Sequence, residues 1–121
     1  MSTLKVTNIA GLSGSSTDVM QGLAKAWSTH DSSASVSDSF NSSSITDFGT
    51  GHFGLNLSSS MGNVYYPMSG SNLGSTANYG TFLGSDGAAV TTSRMDYKVW
   101  NYSTGLVDQT SIRPIAHGDL A

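Results

Sequence analysis

Hydrophobic and polar positions alternate along the chain in short stretches, each ended by Gly, Ser, Asn or Asp. A period of two is the mark of a half-buried strand. Leu4–Ile9 opens with Leu4 and Val6 on one face, and Gly11–Ser16 breaks it. Residues 17–27 read two ways. Thr17 or Asp18 caps one helical turn, whereas Leu23, Lys25 and Trp27 alternate as a strand, and the strand over Leu23–Thr29 is the better fit. His30–Ser35 is a polar turn. Val36–Phe40, Ile45–Phe48 and His52–Leu57 follow as strands, the last with Phe53, Leu55 and Leu57 on one face. Val64–Met68 reads as a strand that Pro67 pushes to an edge, Gly70–Thr76 as a loop, and Tyr79–Leu83 as a strand. Ala89–Tyr102 reads as the longest strand, with Met95, Tyr97 and Val99 together. A phase shift then puts Trp100 with Tyr102, which calls for a bulge. Gln109–Ala116 closes the chain, with Ile112, Pro114 and Ala116 on one face.

About eight short strands at roughly 8–12-residue spacing predict an all-β fold, an antiparallel sandwich or barrel. Residues 1–16 are expected to form an extended N-terminal arm and residues 17–121 the sandwich domain. An apolar stripe on a detached arm needs a partner, so Leu4, Val6 and Ile9 are its candidate anchors.

Composition narrows the function. Ser, Thr, Gly and Asn supply 56 of the 121 positions, and only 11% of residues are charged. All eight acids are Asp, and the net charge is −3. Too few Lys and Arg are present for a nucleic-acid clamp. Without Cys there is no disulfide frame, thiolate metal site or thiol nucleophile. No apolar run approaches the roughly 20 residues of a membrane helix. Met1–Met20 holds one Lys and no long apolar block, so a secretory leader is not expected. Thr on a solvent face favours strands and keeps a surface soluble without many charges.

Candidate chemistry is sparse. Gly49-Thr50-Gly51-His52-Phe53-Gly54 fits the letter of a dinucleotide loop, but a strand follows where a helix must, so the glycines belong to a hairpin turn. His30, His52 and His117 have no nucleophile elbow or paired metal motif around them, and they read as solvated. A histidine near a three-fold axis could also meet its own copies on an ion. The aspartates suit turns better than paired acid–base work. No catalytic residue, metal ligand or cofactor site is assigned. Tyr65-Tyr66 places one aromatic inward and one outward, and of Trp100 and Tyr102 one is likewise expected in the core. Tyr65, Trp100 and Tyr102 are thus the candidates for a subunit interface or a glycan contact.

Met1–Ile9 resembles the opening of tail-fibre and other virion-appendage proteins of marine tailed bacteriophages. Gly22-Leu23-Ala24-Lys25-Ala26-Trp27 resembles the start of their β-rich terminal domain. Asp38–Phe53, with its Ser44-Ile45-Thr46-Asp47 segment before a Gly-rich turn, resembles that domain's most recognisable stretch. The resemblance implies a virion structural protein without catalysis: a short tail or head fibre, a knob or a decoration subunit. Homo-oligomers, trimers above all, are implied, together with other tail or capsid proteins as partners and a place on the particle surface after synthesis in the host cytoplasm. The chain lacks the shaft repeats and collagen-like tracts of long fibres. The alternative is a carbohydrate-binding, lectin-like module that recognises host surface glycan. A capsule depolymerase is a further alternative, disfavoured by the short chain.

Overall fold

In the computed structural model, which describes residues 8–9, 17–18, 22–74, 80–84 and 90–121, the alternating segments pair into antiparallel sheets. A short pair joins β1 (Asn8–Ile9) to β2 (Thr17–Asp18). Sheet I has four strands in the order β4 (Val36–Phe40), β3 (Ala24–His30), β11 (Ser111–His117), β7 (Met68–Leu73). Sheet II runs β5 (Ser42–Gly49), β6 (His52–Leu57), β9 (Arg94–Asn101). β8 (Gly80–Gly84) and β10 (Gly105–Leu106) also pair with β9. The fold is the expected all-β antiparallel sandwich.

Two pleated faces make the core. Phe53, Leu55 and Leu57 of β6 and Met95, Tyr97 and Val99 of β9 face Ala26, Ile112 and Ala116 of sheet I. Met61 and Tyr66 from the β6–β7 connection close one end. Each large apolar side chain buried this way contributes about 1.5–3 kcal/mol.

The chain changes sheets at Asn41. Its φ of 53° lies in the left-handed region that Asn tolerates. Its Nδ2 donates to the carbonyls of Lys25 and Ser59 at 3.0 Å each, and its Oδ1 accepts from the Ser59 amide at 2.6 Å. One side chain thus fixes the bend that carries β4 into β5. Gly51 (φ 63°) does similar work at the β5–β6 turn. Its amide donates to Asp108 Oδ1 at 2.8 Å and its carbonyl accepts from the Val99 amide at 2.8 Å.

Four local expectations change. Residues 64–67 are not a strand, and the strand lies at Met68–Leu73, where a loop was expected. Its Gly and Ser have little strand preference of their own. Pairing with β11, Ser69 to Ile115 and Ser71 to Arg113, overrides that. Pro67 precedes the strand, and its carbonyl accepts the His117 amide at 3.1 Å. β9 starts only at Arg94, because Thr92 and Ser93 turn their carbonyls to the Met61 and Leu57 amides. It ends at Asn101, whose Oδ1 accepts the Ser103 amide at 2.7 Å. That turn makes the expected bulge unnecessary: Trp100 points outward and Tyr102 sits in the turn. Finally, β3 runs on through His30, which is buried rather than solvated.

Candidate functional site

The outer face of sheet I carries an open groove of about 320 Å³. It forms because register brings small and large side chains into two rows. Phe40, Trp27, Ile115 and Ser69 are cross-strand neighbours in the first row. In the second, Asp38 pairs with Thr29 and Arg113 with Ser71, and the β3–β11 register sets Arg113 opposite Thr29. Ile115 and the backbones of Ser28, Gly70 and Pro114 complete the lining. Trp27 and Arg113 rise beside Ser69 and Ser71, so the groove is a step in side-chain size on a regular sheet.

Its side-chain hydroxyls are unengaged among the described residues. No side-chain hydrogen bond within the described residues involves Thr29, Ser69 or Ser71. Arg113 Nε donates to Ser111 Oγ at 3.2 Å, and no described carboxylate lies within 4 Å of its guanidinium. Arg94 differs. Its Nε and Nη2 hold the two Asp96 oxygens at 2.6 and 3.0 Å on the outer face of sheet II, which raises the guanidinium pKa through that hydrogen bond. There Arg94 also lies over the Phe48 ring at 5.0 Å, and Phe48 stacks beside His52 at 4.8 Å.

Comparison with known protein families, curated proteins and solved structures finds no match for this chain. The groove therefore stands on its own geometry.

The aromatic candidates are exposed but do not converge. Tyr65 is 90% exposed in the β6–β7 connection, while Tyr66 beside it is buried in the core. Trp100 (43% exposed) and Tyr102 (97%) lie at the other end of the sandwich, around the β9–β10 turn. Both are exposed, which corrects the expectation that one of the pair is core: the inward position belongs to Asn101. Leu4 and Val6 lie outside the described residues, and Ile9 is in β1 opposite Thr17. Trp27 and Arg113 were not among the site candidates read from the sequence, although Trp27 was one of the aromatics of open role. Trp27 stands out of phase with Ala26, Ser28 and His30, which marks it as outward, but only the β3–β11 register reveals its neighbours.

His30 and Tyr97 form the core's polar contact between sheets. Tyr97 Oη lies 2.5 Å from His30 Nε2, and Nδ1 lies 2.7 Å from the Asp31 carbonyl. A carbonyl only accepts, so Nδ1 carries the proton and Nε2 accepts from the phenol. Burial lowers the imidazole pKa, against the opposing pull of the Asp31 carbonyl and the Asp31 and Asp47 charges. Burial and then the Asp96 charge raise the Tyr97 phenol. Tyr66 is pushed up to about 12 by the same two causes, and its hydroxyl reaches the Thr91 and Arg94 carbonyls. These groups are locked by packing, away from the groove. Among the described residues no three His, Cys, Asp or Glu gather as a metal site.

Proposed function

We propose that this chain is a structural subunit of a bacteriophage particle, a short fibre, knob or surface decoration subunit that assembles with copies of itself. In this reading it lies on the particle surface, meets other tail or capsid proteins, and performs no catalysis. The observation that carries the reading is the character of the sheet edges. β7 is an edge strand of six residues without a charge, a proline or a bulge, and no described strand pairs along its free side. Leu73 at its end is 57% exposed, and Phe40 on the opposite edge strand β4 is 52% exposed. Edges without Lys, Pro or bulges invite another strand, and closed assemblies cover them. Further support comes from the placement of the phage-like segments. Gly22–Trp27 leads into β3, and Asp38–Phe53 is the ribbon that crosses between the sheets.

Native mass by light scattering on the full chain tests the proposal. A closed oligomer is expected, and Leu73→Lys is expected to shift it toward monomer with an unchanged circular dichroism spectrum. A folded monomer at every concentration would overturn self-assembly.

A further inference from the structure

We infer that the groove on the outer face of sheet I binds a saccharide bearing a carboxylate, with a sugar ring against Trp27 and the carboxylate on Arg113. The groove's size, about 320 Å³, lies at the lower end of the range of small-molecule clefts. Trp27 and Ile115 supply the apolar surface, and an indole face suits the C–H side of a pyranose ring. Thr29, Ser69 and Ser71 offer hydroxyls that both donate and accept, as a polyol requires. They have no side-chain hydrogen-bond partner among the described residues.

Charge selects an acid. Arg113 is tethered through Nε to Ser111, which leaves its two terminal nitrogens for a ligand. The chain carries a net charge of −3, yet none of its described carboxylates lies within 4 Å of this guanidinium. A planar fork of two N–H groups fits a carboxylate in bidentate fashion. An extended peptide fits this place poorly. Peptides join sheets by pairing with a free backbone edge, whereas the groove lies over β11, whose backbone already pairs with β3 and β7 on its two sides.

The test follows the Trp27 indole N–H by NMR in the full chain, with Trp100 as internal reference. Tetragalacturonate, a hyaluronan tetrasaccharide and sialyllactose are the acidic probes, each paired with its methyl ester. At least one acid is expected to shift Trp27 saturably and leave Trp100 in place. Its ester and the Arg113→Gln variant are each expected to bind about tenfold more weakly, the value of one charged hydrogen-bonding contact. Ser69→Leu, which fills the groove from an exposed position, is expected to abolish the shift with the rest of the spectrum native. Silence at Trp27 with all three acids, equal binding of acid and ester, or a response confined to Trp100 would overturn the proposal. So would a Trp27 resonance that moves on dilution without sugar, together with loss of the oligomer in Ser69→Leu, since a second copy would then occupy the groove. The inference goes beyond the assembly reading and is independent of it: a monomer that shifts at Trp27 refutes the assembly and upholds the groove.

Discussion

Replacing Tyr97 with Phe removes a single oxygen from the core, and its effect can be worked out from His30. Both residues are buried and join the two sheets through a 2.5 Å contact. Without the phenol, Nε2 becomes a buried acceptor with no donor, which costs roughly 1–3 kcal/mol. With a urea slope of about 2 kcal/mol/M, the unfolding midpoint drops by about 1 M. The double variant His30→Phe/Tyr97→Phe removes both polar groups and is expected to recover part of the loss. Acid supplies a second readout. Burial holds the His30 pKa below its ordinary 6.5. Below about pH 6.5 the unfolded chain therefore binds more protons than the native state. The stability that neutral His30 contributes is complete above that pH and is lost as pH falls toward the folded value, by at most about 1.4 kcal/mol per pH unit. Urea titrations between pH 8 and pH 5 on the wild type, Tyr97→Phe and the double variant measure both effects. A neutral Tyr97→Phe, or an acid slope unchanged once His30 is gone, would refute the reasoning.

Gly54→Ala is expected to destabilise by roughly 1–3 kcal/mol in thermal denaturation, because a Cβ there meets Asp96 Oδ1 at 2.8 Å and the Phe48 ring at 3.0 Å. An unchanged melting temperature would count against that packing. Gly51→Ala combines a φ of 63° with a Cβ only 2.6 Å from the Val107 amide nitrogen, so a loss of about 2 kcal/mol or more is expected by chemical denaturation. Arg94→Met leaves the buried Asp96 carboxylate without its cation and is expected to cost about 2–3 kcal/mol, discounted from a fully buried pair because Arg94 is partly exposed. Arg94→Met/Asp96→Leu should be more stable than the single variant, and the same urea assay tests both.

The sandwich was legible wherever a strand's own side chains carried the pattern. Phe53-Leu55-Leu57, Met95-Tyr97-Val99 and Ile112-Pro114-Ala116 each declare an inward face without help from neighbours, and each is buried. Met68–Leu73 was not legible, since its pairing partners, 38 to 48 positions away in sequence, decide its conformation. His30 looked solvated beside Asp31 for a related reason: only the stacking of the sheets puts Tyr97 and Phe53 against it. Tyr65, Trp100 and Tyr102 are all exposed, but sequence does not tell which end of a sandwich a loop occupies. The groove was invisible because it belongs to no single segment. Trp27, Arg113 and Ser71 come from three strands and meet only through register.

The pairing of β3 with β11 also bears on how the protein is made. Trp27 lies opposite Ile115, and among the described residues β11 is the only strand that links the β3–β4 hairpin to β7. Until β11 has cleared the ribosome, sheet I exists only as a hairpin and an unpaired segment, and the inner face of β6 has little to pack on. Pairing at such long range forms slowly and leaves apolar strands open in the meantime. The sandwich thus cannot close before β11 has been made. Folding must wait for β11, and in that interval Phe53, Leu55 and Leu57 on the inner face of β6 stay open to other partners.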